Sequence, residues 1–348
     1  MIHFDSDYME GAHPRILERL VETNLEQTPG YGTDRFSTRA RELVREAVGS
    51  HFAAVHFLVG GTQTNATVVS ALLWGAEAVI SADTGHINVH EAGAIEGTGH
   101  KIITIPGKAG KISAVQIEEC LHNFYDDDTW MHMAIPSMVY LSYPTEFGTL
   151  YSLKELEAIS DVCHRYSVKL YVDGARLGYG LAAKQCDVTI KDFYRLCDAF
   201  YIGGTKVGTL IGEAVVLKNK DLNPHFLADI KRSGAMLAKG RLLGLQFETL
   251  FEDNFKLYLE CGRNGVERAL ELRAAFEAKG WKPAVNSPTN QQFFDLPNTV
   301  IDEISKYATF EYWGPRGNLH STVRFVTNWA TKPEDVAALS AIIPDCPK

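Results

Sequence analysis

The stretch VKLYVDGARLGYG at 168–180, followed after a polar, helical interval by CDAFYIGGTKVGTLIGE at 197–213, decides how this chain reads. Val168 to Val172 is a short apolar run that predicts a buried strand with Asp173 at its C-terminal end. Ala199 to Ile202 predicts a second strand, opening into Gly203-Gly204-Thr205-Lys206. Two strand ends therefore carry a carboxylate and a lysine, each within a glycine-rich turn. Ligands of open α/β sheets sit beyond the carboxyl ends of the strands. A lysine there can act as a Schiff-base nucleophile, and pyridoxal phosphate (PLP) needs such a lysine together with an acid partner for its pyridinium nitrogen.

On the N-terminal side of this stretch, strand and helix patterns alternate. Strands are predicted over 53–59, 78–81, 101–105 and 138–142, and helices over 37–48, 66–74, 90–96, 113–123 and 153–166. That alternation points to a mostly parallel sheet covered on both faces. An earlier helix opens at His13-Pro14-Arg15, with Ile16, Leu17, Leu20 and Val21 on one face. On the C-terminal side, 210–217 reads as one more strand. From Asn223 to Lys279 the chain is mainly helical, broken softly near Gly240, Gly244 and Gly262 and hinged somewhere in 245–260. Short strands over 292–296 and 322–326 and a closing helix over 334–342 complete it. The expected organisation is a large α/β domain over 1–250, N-terminal segment included, and a small α+β domain over 251–348.

Composition narrows the class. The 348 residues are 45% apolar and 22% charged, an ordinary soluble globular balance. A net charge of −9 argues against non-specific affinity for nucleic acid or anionic membrane surfaces, which need a local cationic excess. No apolar run approaches a membrane span. The first residues, MIHFDSDYMEG, are acidic where a secretion signal is basic, and the six cysteines are scattered without a CxxC pair. Both fit a cytoplasmic protein with reduced thiols.

Several further motifs carry chemistry. Gly60-Gly61-Thr62-Gln63-Thr64-Asn65 offers free backbone N–H groups, a hydroxyl and a helix start, together an anion site. It lacks the GK[ST] of a nucleotide loop and the third glycine of a dinucleotide turn. Taken alone it reads first as a capped tight turn, and Lys206 alone as a surface lysine, whereas Asp173, a strand-end acid followed by Arg176, reads first as a ligand-orienting residue and second as a turn former. His86 and His90 lie i, i+4 in GHINVHE, a spacing that can bind metal on a helix. No further ligand cluster accompanies them, so no metal site is expected, and His90 is placed on the far side of its helix. Arg324, in STVRFVTNWA, interrupts an apolar strand pattern. An arginine there demands a partner, either a structural ion pair or a bidentate grip on a carboxylate.

These pieces, in this order, resemble the threonine aldolase branch of the β-eliminating lyases, within the aspartate-aminotransferase-like PLP enzymes. The matching segments are FDSD at 4–7, PGYGTD at 29–34, FLVGGTQTN at 57–65, GHINVHEAG at 85–93, VDGAR at 172–176, GGTKVGTLIG at 203–212 and VRFVTN at 323–328. They span nearly the whole chain. The resemblance implies a large domain with a mostly parallel, seven-stranded-type sheet flanked by helices, PLP as cofactor, and a homodimer or homotetramer with shared sites. By position, Lys206 would bind PLP covalently, Asp173 would pair with the pyridine nitrogen, and His86 would stack on the ring. Gly61 and Thr62 would bind the phosphate with help from Lys231 or Arg232. Arg324, Arg176 and Ser6 would hold the substrate carboxylate, and Tyr31 would reach in from a neighbouring subunit.

One departure is informative. Members of the family that cleave threonine usually carry a histidine in the segment matching SYPTEFG, where it assists proton removal from the β-hydroxyl. Here Glu146 stands at that point. A carboxylate can serve as general base when burial raises its pKa. The expected reaction is cleavage of a threonine- or allo-threonine-like β-hydroxy-L-amino acid to glycine and an aldehyde. The alternative is β-elimination or transamination of another β-substituted amino acid on the same scaffold.

Overall fold

The three strands at the centre of the sheet show how the chain sorts its side chains. Val139, Leu141, Leu170, Val172, Phe200 and Ile202 enter one hydrophobic cluster. Their alternating neighbours Met138, Tyr140, Tyr171, Ala199 and Tyr201 enter a second. Side chains alternate across a strand, so near-continuous apolar runs feed a core on each face, as parallel sheets require. One consequence bears on function: Tyr140, Tyr171 and Tyr201 share a face on three adjacent strands.

The computed structural model describes residues 1–347. In chain order its elements are β1 (Ile2–His3), α1 (Pro14–Glu22), α2 (Arg35–Val48), β2 (Ala54–Leu58), α3 (Gly61–Leu72), β3 (Glu77–Ala82), α4 (His86–Val89) and β4 (Ile102–Ile105). There follow α5 (Ala114–Asp126), β5 (Ile135–Ser142), α6 (Leu153–Tyr166), β6 (Lys169–Asp173), α7 (Leu177–Ala182), α8 (Ile190–Leu196), β7 (Ala199–Gly203) and β8 (Glu213–Leu217). The remainder is α9 (Phe226–Arg232), α10 (Arg241–Ala278), β9 (Gln291–Pro297), α11 (Asn298–Ile304), β10 (Ala308–Thr309), β11 (Glu311–Tyr312), β12 (His320–Val326) and α12 (Pro333–Ile342). The seven-stranded sheet runs β2-β8-β7-β6-β5-β3-β4, with β8 antiparallel to both its neighbours and the other joins parallel. The expected α/β architecture is what forms. A three-stranded antiparallel sheet, β11-β12-β9, stands apart from it.

The N-terminal segment divides its allegiance. β1 pairs in parallel with β10 and Phe4 joins the cluster around Phe276, Phe294 and Phe325, so the first residues pack with the C-terminal sheet region. They were expected with the large domain, because a two-residue strand leaves no periodic signal. Of the face expected on α1, only Ile16 is buried; Leu17 and Val21 point outward.

Three local expectations fail for reasons visible in the backbone. The helix expected over 90–96 forms as a single turn at 86–89, because Ala92 and Gly93 adopt positive φ and a helix cannot pass through them. The strand expected from 210 begins only at Glu213, after Gly212 turns at φ 126°. The long helix α10 does not break at its glycines. It breaks at Glu252–Phe255, within the 245–260 interval expected to hinge, where Asp253, Asn254 and Phe255 sit in the left-handed region.

Gly244 and Gly262 instead let other elements approach. A Cβ on Gly262 would lie 2.2 Å from the Gly178 carbonyl oxygen of α7, and one on Gly244 would lie 2.5 Å from Ser37 Cα of α2. In an open helix Gly→Ala is favourable by about 1 kcal/mol. Here the sign reverses: Gly262→Ala is expected to destabilise the fold by about 1–3 kcal/mol, the cost of overpacking a tight contact. Urea unfolding with an unchanged m-value measures it.

Candidate active site

The site grows out of the shared tyrosine face. Tyr140 on β5 donates its hydroxyl to Asp173 Oδ2 at 2.6 Å. Tyr171 on β6 donates to Asn65 Oδ1 at 2.8 Å. That bond turns the Asn65 amide nitrogen toward two carboxylates, Asp173 Oδ2 at 2.9 Å and Glu91 Oε1 at 2.8 Å. Asn65 can do this because α3 starts at Gly61, four residues earlier than Asn65, rather than after the 60–65 turn as expected. The backbone N–H of Ala175 closes the set on Asp173 Oδ1 at 2.9 Å. Burial alone would push the Asp173 pKa up. The His86 imidazole, the Tyr140 and Tyr201 hydroxyls and Asn65 outweigh it, holding the carboxyl below its usual value and ionised.

His86 stands over this network at the start of α4. Its Nδ1 lies 2.8 Å from Glu91 Oε1, so a ring nitrogen donates to a buried carboxylate and the ring is held in place. Its backbone N–H donates to Glu146 Oε1 at 2.9 Å, and Ser142 Oγ donates to the same oxygen. Among the described residues the other Glu146 oxygen has no hydrogen-bond partner. Burial pushes the Glu146 pKa up against these donors.

Lys206 is brought to Asp173 by glycine. Gly203 N–H donates to Gly174 O at 2.9 Å. A Cβ on Gly174 would sit 2.0 Å from Tyr201 O, and one on Gly203 would sit 2.2 Å from Ala175 O. The two glycine-rich turns therefore pack directly on one another, which is what their sequence spacing could only suggest. Tyr179 donates its hydroxyl to Lys206 O at 2.6 Å, tying the loop to α7. Burial and then the Arg176 charge push the Lys206 pKa down. Glu213, at the head of β8, accepts the Gly204 N–H at 3.0 Å, and burial pushes its pKa up to about 8.

A cavity of about 220 Å³ gathers these groups: Gly61, Thr62, His86, Glu91, Glu146, Asp173, Lys206 and Glu213 line it together with Arg176 and Tyr8. The first backbone i→i−4 bond of α3 is Thr64 N–H to Gly60 O at 2.9 Å. The N–H groups of Gly61, Thr62 and Gln63 thus have no backbone partner among the described residues and form an anion-binding helix start. Arg176 forks onto the buried Asp7 at 2.7 and 3.0 Å. An outer chamber beyond is bordered by Arg324, Glu311, Trp313 and His90. His90 therefore faces the chamber rather than the far side of a helix, with its ring 5.7 Å from that of His86.

Four residues singled out from the sequence stand elsewhere in this chain. Ser6 does not line the cavity; its neighbours Asp7 and Tyr8 supply the contacts from that segment. Tyr31 is exposed, in a separate cleft with His56 and Leu227. Lys231 places its ammonium 4.5 Å over the Tyr31 ring, and Arg232 donates to Ser70 Oγ at 3.0 Å, because both sit on the outer last turn of α9. Conversely, Asn65, Glu91, Tyr140, Asp7 and Glu213 belong to the site without having been assigned a role. Asp7, Asn65, Glu91 and Glu213 stand inside the quoted segments, and Tyr140 in an expected strand, which was their only signal.

The chain is similar to known proteins over most of its length. The family described as beta-eliminating lyase matches residues 3–276. The low specificity L-threonine aldolase of Pseudomonas aeruginosa is 28% identical over 97% of this chain and 95% of that protein. The corresponding protein of Saccharomyces cerevisiae is 26% identical over 87% and 79%. The solved structure of Leishmania major threonine aldolase superposes with a TM-score of 0.95 at 40% identity, covering 99% of this chain and 98% of that one. With its buried acid and lysine at adjoining strand ends and a family match across most of its length, the chain belongs to the beta-eliminating lyase family.

Proposed function

We propose that the chain is a PLP-dependent aldolase that cleaves a threonine- or allo-threonine-like β-hydroxy-L-amino acid to glycine and an aldehyde. The observation that carries the reading is the convergence, in one cavity, of an ionised Asp173, a buried Lys206 and a carboxylate of raised basicity, Glu146. The donor set fits the cofactor. Lys206 would bind its aldehyde carbon, Asp173 would keep its ring nitrogen protonated, and His86, fixed by Glu91, would cover a ring face. The free N–H groups at Gly61 and Thr62 would take the phosphate. When bound, PLP supplies a sink for the electron pair left on Cα.

The chain's own residues account for the rest. Arg324, with Arg176 beside it through the Nη1 that Asp7 does not occupy, holds the substrate carboxylate and so fixes which Cα bond stands ready to break. Glu146, ionised, takes the proton of the β-hydroxyl through its unpartnered oxygen or through a water. The Cα–Cβ bond then breaks, the β-carbon leaves as the aldehyde, and a proton returned to Cα completes glycine. Sites shared between copies, with Tyr31 serving a neighbouring subunit, are part of the same reading, and the exposure of Tyr31 supports it.

Incubation of the PLP-loaded protein with L-allo-threonine, L-threonine and phenylserine is expected to release glycine and the matching aldehyde in equal amounts. No product from any of the three would overturn the aldolase reading. Pyruvate from L-serine in place of glycine would establish elimination.

A further inference from the structure

The two arginines of the site are held in different ways. Arg176 gives Nε and Nη2, its side-on fork, to Asp7. Asp7 is fully buried and also accepts Asn290 Nδ2 at 2.9 Å, so this pair is fixed. Arg324 on β12 lies directly across from Glu311 on β11. Its Nη1 donates to Gln291 Oε1 at 2.7 Å, its Nη2 donates to the Glu311 carboxylate, and its guanidinium lies 4.8 Å from the centre of the Trp313 ring. Its Nε is buried with no partner. The same side-on fork is therefore complete in Arg176 and half filled in Arg324.

The partner differs as well. The Glu311 side chain is 46% exposed while that of Arg324 is 9% exposed. The half-exposed Glu311 carboxylate can return to water with little change in its own solvation, so the cost of its leaving falls on the Arg324 side and is met when another carboxylate takes its place. Leaving a buried guanidinium nitrogen without an acceptor is the costly part. Gln291 and Trp313 continue to hold Arg324 when Glu311 leaves.

We propose that Glu311 is an exchangeable counter-ion of Arg324, occupying the clamp between turnovers and giving way to the substrate carboxylate. The incoming carboxylate takes Nη2 from Glu311 and reaches Nε, completing the fork. Glu311 thereby acts as a positioning residue that sets substrate affinity by competition. This rests on the reading that Arg324 binds the substrate carboxylate.

The test uses the PLP-loaded protein and the Kd of glycine, read from the change in cofactor absorbance, with glycinamide as a ligand lacking the carboxylate. Glu311→Gln is expected to lower the Kd of glycine about two- to fivefold, with Glu311→Ala acting in the same direction and no fall for glycinamide. In an Arg324→Gln background the gain should vanish. Structural damage does not tighten binding, so the sign separates the two explanations. An unchanged or higher Kd in both Glu311 variants, with Arg324→Gln still weakening glycine, would overturn the exchange. An equal fall for glycinamide would overturn it too. If Arg324→Gln leaves the glycine Kd unchanged, the clamp reading itself is wrong.

Discussion

Lys206→Ala is expected to cut the rate of aldehyde release on the order of 10³-fold or more, the scale of loss when a covalent nucleophile is removed. Among the described residues no second lysine lines the cavity. The Lys206 carbonyl is tied to the Tyr179 hydroxyl at 2.6 Å, and the loop is locked by glycines that admit no Cβ. The amine is thus delivered to one place, beside Asp173. Its pKa is pushed down by burial and by Arg176, which enlarges the neutral, nucleophilic fraction near pH 7. Borohydride reduction of the PLP-loaded protein followed by peptide mapping should find the pyridoxyl group on the Lys206 peptide alone. An adduct at another lysine, or a Lys206→Ala protein that still turns over, would refute the assignment.

Much of this was legible because it is local. Apolar runs of strand length, capped helices such as that beginning after Ser113, and glycines clustered at two strand ends all leave their mark within ten residues. What was not legible is carried by contacts between distant positions. Asn65 meets Asp173 across 108 positions and Asp7 meets Arg176 across 169, and no periodicity records such pairs. Glu91 hides for another reason: beside His90 in a helical-looking stretch it reads as a solvated acid, yet its side chain is fully buried against His86. Glycine misled in the opposite sense. Gly244 and Gly262 look like breaks, whereas helix glycines can equally mark close packing, and only the partner helix tells which. The true break, at 252–255, falls inside the 245–260 interval expected to hinge, and Asp253 and Asn254 are of the types that most readily take positive φ, so only its exact place was unmarked.

Glu146→Gln is expected to lower kcat/KM for a β-hydroxy amino acid by about 10²- to 10⁴-fold, the range for loss of a general base. The amide is close in shape and can still accept the His86 N–H and the Ser142 hydroxyl, so the change removes basicity more than structure. The pH dependence supplies the sign. The base must be ionised, and burial raises its pKa, so wild-type activity should climb with pH through a point above the ordinary Glu value of about 4.3. In Glu146→Gln that acidic limb should disappear while any limb belonging to Lys206 remains. Exchange of the Cα hydrogen of glycine, which has no β-hydroxyl, separates proton removal from general damage. Cleavage should fall far more than exchange if Glu146 serves the hydroxyl. Equal losses in both would show that it serves only to place His86, and that the hydroxyl proton leaves by another route.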